Sequence, residues 1–416
     1  MALASNNPDY VLRLRDFPVG AQMLFVAFGA LVLVPLLTGL DPNVALFTAG
    51  VGTLIYQVLT KFQIPIFLGS SFAFIAPIML CTQRYGASAS LGALAMVGLV
   101  YVAVALIIKA KGTAFLLRLL PHVVTGPVIM VIGLILAPVG VFMAMGKTGD
   151  GAKVLYPENQ ALVISMISLA VTVLVAIRGR GILKLIPILC GIAAGYCASL
   201  VAGIVDFAPV AAAPWFKMPS FTAPTFSVEA MLIIVPVAIA PIIEHIGSVL
   251  AIGSVTGKNY IDQPGVHRSL LGDGVATSLA GFLGGPPLTT YAEVTGAVSL
   301  IKIYNPALMT WGAVTAVGLA FIGKLGALLQ TIPAPVMGGI MLLLFGAIMV
   351  VGLNSLVQDG QDLMKPRNMV IVALIVVLGM GKMSFSFWGV HLEGIGLAGV
   401  AGVLLNVILP RDRAED

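Results

Sequence analysis

Two glutamates, Glu244 and Glu293, sit inside apolar stretches with no Lys or Arg beside them in sequence. The first lies in Pro241-Ile-Ile-Glu-His-Ile-Gly-Ser248, the second in Gly284-Gly-Pro-Pro-Leu-Thr-Thr-Tyr-Ala-Glu-Val-Thr-Gly296. Ionisable side chains in apolar spans are rare and usually functional. Such a carboxyl can carry a proton in an alternating-access cycle, or accept N–H hydrogen bonds from a neutral ligand. The alternative for each is a structural carboxyl bonded to helix backbone. His245 follows Glu244 about 100° round a helix, so the two need not face one cavity. Two readings are open for His245, a structural hydrogen-bonder or a proton relay. Ser248 lies one turn after Glu244 on the same face, where it can meet substrate or bond its own i−4 carbonyl.

The sign of this chemistry restricts the ligand. Two carboxylates argue against an anion and suit a cation or a ligand with N–H donors. Backbone amides at half-helix N-termini would donate to ligand carbonyls. Together they fit a planar imide such as a nucleobase.

The elements that must hold these residues are membrane helices. The 416 residues are 59% hydrophobic and only 9% charged, with a mean hydropathy of +1.07. Soluble domains carry about 25% charged residues. The composition therefore predicts an all-α polytopic membrane protein with the lipid bilayer as its solvent. Apolar runs predict spans near 19–38, 44–60, 66–81, 88–108, 121–143, 160–177, 183–204, 228–252, 268–284, 289–303, 307–329, 334–353, 368–382 and 393–409. That is about 14 transmembrane segments, most of them near the length needed to cross a bilayer and the third, tenth and thirteenth shorter, with a twelve-span count the alternative. The chain, 1–416, reads as a single membrane transporter unit.

With the N-terminus cytoplasmic, sixteen of the 22 Lys and Arg residues fall inside, Arg118, Arg411 and Arg413 among them. Only Arg84, Lys147, Lys153, Lys217, Lys324 and Lys382 fall outside. That bias predicts an even span count with both termini cytoplasmic.

Segments 3 and 10 are short and interrupted by Gly, Pro, Ser and Thr. Segment 3 reads Ile66-Phe-Leu-Gly-Ser-Ser-Phe-Ala-Phe-Ile-Ala-Pro77. Each broken segment is the third of a seven-span half. Seven is odd, so the halves run in opposite directions, and paired interruptions point to a midplane site between inverted repeats. Freed backbone at that depth must be satisfied by protein or a cavity. Ser70, Ser71, Thr289 and Thr290 are the expected partners. Thr289, Thr290 and Tyr291 suit a short strand.

The remaining features exclude other classes. No nucleophile–base constellation, metal-ligand spacing or Gly-rich phosphate loop is present, so neither an enzyme nor a cofactor is expected. Cys81, Cys190 and Cys197 read as small buried hydrophobes. The net charge of +5 is spread singly over short loops and does not predict nucleic-acid binding. Residues 1–18 are polar and are not expected to form a cleavable signal. The longer polar stretches 144–159 and 205–227 read as ordinary loops.

On these motifs the sequence resembles the nucleobase–ascorbate transporter (nucleobase:cation symporter-2) family, in particular its bacterial uracil-carrying branch. The matching stretches are Phe28-Gly-Ala-Leu-Val-Leu-Val-Pro35, Leu68-Gly-Ser-Ser-Phe-Ala-Phe-Ile-Ala-Pro77 and Glu244-His-Ile-Gly247. Pro264-Gly-Val-His-Arg268, Thr289-Thr-Tyr291 with Glu293, and Ile332-Pro-Ala-Pro-Val-Met-Gly-Gly339 also match. The resemblance implies two inverted seven-span repeats, with short strands in segments 3 and 10 that pair antiparallel beside the substrate. It implies a core domain (about 19–110 and 228–329) and a gate domain (about 118–204 and 334–409) that also forms a homodimer. It implies proton-coupled symport of uracil across the bacterial inner membrane, with purines or xanthine as the alternative cargo and anion transport the more distant one.

Carried over by motif, Glu244 and Glu293 would accept the uracil N–H groups, and the amides of Phe72 and Ala292 would donate to its carbonyls. Ala30, Phe72 and Phe345 would line the pocket. Proton coupling would fall to Glu244, His245, Ser248 and Glu293. Ser248 stands where the family pattern has a second histidine linked to coupling. Leu288, Ala292, Val294, Ile301, Lys302 and Phe345 replace the usual Asn, Gly, Asn, Thr, Arg and Tyr.

Overall fold

A computed structural model describes residues 9–112, 115, 121–358, 362–381, 383–387 and 390–410. Arg118, Lys382, Arg411 and Arg413 of the charge count lie outside the described residues. Among the described residues seven helices are long and apolar enough to cross a membrane. They are α1 (Phe17–Thr38), α2 (Pro42–Leu59), α4 (Ala87–Lys111), α5 (His122–Ala144), α6 (Glu158–Arg178), α8 (Val228–Thr256) and α12 (Ala334–Gln358). Shorter helices fill the intervening expected spans: α3 (Ile75–Tyr85), α7 (Pro187–Val201), α9 (Val266–Leu283), α10 (Ala292–Ile301), α11 (Ala307–Ala320), α13 (Pro366–Met380) and α14 (Gly394–Ile408).

Local chemistry fixes the helix ends. Pro42 opens α2, where its missing N–H is no loss, and the Asp41 carboxylate accepts from the Asn43 amide at 2.7 Å. Gly284 closes α9 with a φ of 92°, the left-handed turn that frees the chain to enter a strand.

The helices pack in two groups. In one, α4 and α2 lie against α9, and α1 and α2 against α11. In the other, α5 lies against α12, α13 and α14, while α6 packs on α7 and α12. Close crossings rely on small residues, as in membrane bundles generally. A Cβ on Gly98 of α4 would collide with the α9 backbone at Gly274 and Ser278, and the Ser278 hydroxyl donates to the Ala95 carbonyl across that crossing at 3.0 Å.

The two broken segments meet as a two-stranded antiparallel ladder, β1 (Leu68–Ser70) with β2 (Leu288–Thr290). Leu68 pairs with Thr290, Gly69 with Thr289 and Ser70 with Leu288. The ladder extends symmetrically through Ser71 N–H to the Pro287 carbonyl at 2.9 Å and Tyr291 N–H to the Phe67 carbonyl at 3.2 Å. Most of the hydroxyls expected to satisfy the freed backbone do not do so. Only Ser70 donates, to the Leu31 carbonyl of α1 at 3.0 Å, while Ser71, Thr289 and Thr290 hydroxyls are buried without a protein partner among the described residues. Strand side chains project off the ladder plane, away from the backbone edges they would have to reach. The partners come from flanking helices instead. Thr53 of α2 accepts the Leu68 N–H at 3.0 Å, and Thr277 of α9 both accepts the Leu288 N–H and donates to its carbonyl at 3.1 Å.

Other departures are local. A second hairpin, β3 (Ser384–Phe387) with β4 (Val390–Glu393), stands between α13 and α14. The alternation Ser384-Phe-Ser-Phe387 is its period-two signal. The stretch 205–227 is more than a loose loop: Lys217 and Thr225 amides bond the carbonyls of Phe321 and Ser88 at 2.9 Å each. Of the cysteines only Cys81 is buried. Cys190 is half-buried and Cys197 is exposed on α7, a face that a low-charge, lipid-solvated protein has no need to cover.

Candidate functional site

The ladder ends where two half-helices begin. After β1 the chain passes through a single 3-10 turn, Phe72–Phe74, into α3, and after β2 it passes directly into α10 at Ala292. The first N–H groups of a helix have no partner within it. Ladder bonds use Ser71 and Tyr291, so Phe72 and Ala292 carry the first free amides on the two sides, at equivalent positions. Helix N-termini also present positive dipole ends, which favour ligand carbonyls and anions.

Packing holds this junction tightly. The Tyr291 hydroxyl donates to the Ser70 carbonyl at 2.8 Å, and its ring lies against Gly69, where any Cβ would collide with it. The Phe72 and Tyr291 rings stack with centroids 6.4 Å apart and planes 11° from parallel.

A cavity of about 780 Å³ opens beside the ladder. Phe72 and Ala73 line it from segment 3, Thr289, Thr290, Tyr291 and Glu293 from segment 10, and Glu244, Gly247 and Ser248 from α8. Opposite stand α5 and α12, contributing Ile132, Leu344 and Ile348 among others. Among the described residues no Lys or Arg lines it. Neither glutamate forms an ion pair among the described residues. The arrangement offers two carboxylates and two sets of backbone donors to one volume.

The sequence-predicted residues divide in position. Glu244, Glu293, Phe72 and Ser248 all border the cavity. The backbone of Ala292 opens α10 beside it. Ala30 and Phe345 are each 1% exposed and are not among the residues that border the cavity. His245 points the other way. It is fully buried, with Nδ1 2.7 Å from Asp273 Oδ2 and Nε2 2.8 Å from Ser269 Oγ. The hydrogen-bonding reading of this histidine is therefore what its contacts look like, and the pair fastens α8 to α9.

Asp273 and Ser269 were absent from the sequence-derived set. Asp273 carried the same signal as the glutamates, an acid within an apolar span, in Leu271-Gly-Asp-Gly274. Its partner lies 28 residues away, a separation no local pattern reports. Thr53 and Thr277 gave no signal at all, since hydroxyls on apolar helices usually bond their own backbone.

Comparison with known proteins follows the same lines. Residues 15–386 match the profile of the Permease family. The chain is 51% identical over 403 residues to a probable uracil permease of Haemophilus influenzae, covering 97% of this chain and 96% of that one. It is 45% identical to a uracil permease of Bacillus caldolyticus, covering 96% and 95%. Among solved structures, the transmembrane domain of a cyanobacterium bicarbonate transporter, BicA, superposes with a TM-score of 0.67 at 14% identity, over 95% of this chain and 97% of that one. A murine Solute Carrier 26 anion transporter gives 0.68 at 13% identity, over 97% and 69%. At such identities these two likenesses concern the fold, a mostly helical inverted-repeat membrane architecture.

Proposed function

This chain belongs to the Permease family, and from that footing we propose that it carries uracil across the bacterial inner membrane together with a proton. The observation that carries the reading is the meeting of Glu244, Glu293 and two half-helix N-termini at one cavity. The names of the relatives point to the same cargo. In this reading Glu244 and Glu293 accept the two N–H groups of the base, and the Phe72 and Ala292 amides donate to its carbonyls. Phe72 covers one face of the ring, and Ala30 and Phe345 back the lining from behind.

The coupling proton is assigned to the carboxyls of Glu244 and Glu293, with Ser248 beside them. His245, held by Asp273, orients α8 and so the glutamate that precedes it. Alternating access moves a gate body (about 118–204 and 334–409) against a core body (about 19–110 and 228–329), and the two packing groups of helices suit that division. Both termini lie in the cytoplasm, and two copies associate through the gate body.

The test is binding of radiolabelled uracil to purified protein, followed by uptake into proteoliposomes under an inward proton gradient. Binding retained by Glu293→Gln at parental affinity sinks the site, and uptake indifferent to the gradient sinks the coupling. A purine or xanthine carrier is the second reading, favoured by a cavity roomier than one pyrimidine ring needs. Competition of uracil binding by xanthine decides between them. An anion carrier fits poorly, because the lining has two carboxylates and, among the described residues, no Lys or Arg.

A further inference from the structure

The cavity does not stop at the carboxylates. Along α5 its lining runs from Ile132 back to His122 at the start of the helix, about 15 Å at 1.5 Å per residue. A pocket of some hundreds of Å³ suits a drug-sized ligand. One pyrimidine ring at the glutamates leaves the outer part of this cavity unfilled.

That outer part is not uniformly apolar. An apolar collar comes first, from Ile129, Ile348, Val351 and Leu250. Beyond it four polar side chains converge from two helices, His122 and Thr125 of α5 with Asn354 and Ser355 of α12. The helices cross closely here, with Gly126 against the Gly352 carbonyl and Leu356. His122 Nδ1 lies 2.9 Å from Ser355 Oγ, which fixes the ring across the crossing. Thr125 is only 1% exposed and borders the cavity, yet its hydroxyl has no partner among the described residues. A buried hydroxyl left unpaired is unfavourable, so a site of this kind is completed by whatever enters it. Asn354, exposed at the mouth, adds an amide with two donors and an acceptor. Among the described residues no Asp, Glu, Lys or Arg lines this end, and that lining suits a neutral polar ligand.

We propose that Thr125, His122, Asn354 and Ser355 form a second, peripheral subsite for a neutral planar imide at the cavity mouth, separated from the carboxylates by the apolar collar. It holds the ligand by alternating hydroxyl and amide donors and acceptors, and gives it a resting place on the path to or from the inner site. The inference rests on the reading of the cavity as a uracil site.

The test is equilibrium binding of radiolabelled uracil to the purified full chain over a wide concentration range. The parent is expected to give a tight and a weak component. Combining Thr125→Val with Asn354→Leu should weaken the weak component at least fivefold while the tight one stays within twofold. Glu293→Gln should do the reverse. Asn354→Leu alone carries the same test if the Thr125 substitution unfolds the protein, and thermal midpoints report folding for each. Tight binding with no weak component, or a weak component unchanged in these variants, overturns the subsite alone. No uracil binding by the parent overturns the functional reading and the subsite with it.

Discussion

The two interrupted segments, β1 with α3 and β2 with α10, share a backbone and differ in side chains. Each has a three-residue strand, a terminal ladder bond to its partner, a supporting threonine on the preceding helix, and a half-helix N-terminus at the cavity. Their chemistry is divided. Segment 3 brings Gly69, Phe72 and Ala73, which offer backbone and ring. Segment 10 brings Glu293, and α8 of the same repeat brings Glu244. The symmetry of the repeats thus builds the frame, and asymmetry of a few side chains gives the site its acidic edge. Thr53 and Thr277 carry that lesson further: they serve equivalent strand residues, yet Thr277 makes two bonds to Leu288 and Thr53 one to Leu68.

Five substitutions would break or sharpen this comparison. The largest effect is expected for Glu293→Gln, which keeps shape but replaces a charged acceptor. Uracil affinity should fall at least roughly thirtyfold, about 2 kcal/mol, by radioligand binding, with the fold intact. Parental affinity in that variant would remove the proposed asymmetry. Next, Gly69→Ala forces the Tyr291 ring from its seat and should cost about 1–3 kcal/mol in detergent stability, visible as a lower thermal midpoint. Thr277→Val and Thr53→Val should each destabilise by about 1–2 kcal/mol, the former more because it orphans both an N–H and a carbonyl. An equal or reversed order would mean the two supports are not what distinguishes the segments. The smallest effect belongs to Thr290→Val. Its hydroxyl is already unpaired, so the midpoint should move by less than about 0.5 kcal/mol equivalent.

Much of the fold was legible because lipid imposes a strict rule: backbone at depth must be helical or specially paired. The apolar runs therefore marked the helices, the interruptions marked the two broken segments, and Thr289, Thr290 and Tyr291 marked the strand of segment 10, while the strand of segment 3 came from the family resemblance. The inward-facing acids marked the cavity. The hairpin Ser384–Phe387 with Val390–Glu393 was written as a plain alternation next to an expected span end, where helix and strand signals overlap. Ala30 and Phe345 read as lining because motif position fixes neighbourhood but not which way a side chain turns. His245 and Glu244, adjacent in sequence, ended on different faces of α8, one locked to Asp273 and the other in the cavity.

By itself the sequence determined that this is a membrane protein of inverted halves with two lone glutamates inside apolar segments. Composition and periodicity act locally and survive any packing, so they can be read without coordinates. Only the tertiary structure decided which groups meet: the ladder register, the threonines that close its edges, the His245–Asp273 pair, and the polar quartet at the mouth. Those depend on contacts between residues far apart in the chain, and such contacts are set by how helices cross rather than by any one stretch of sequence.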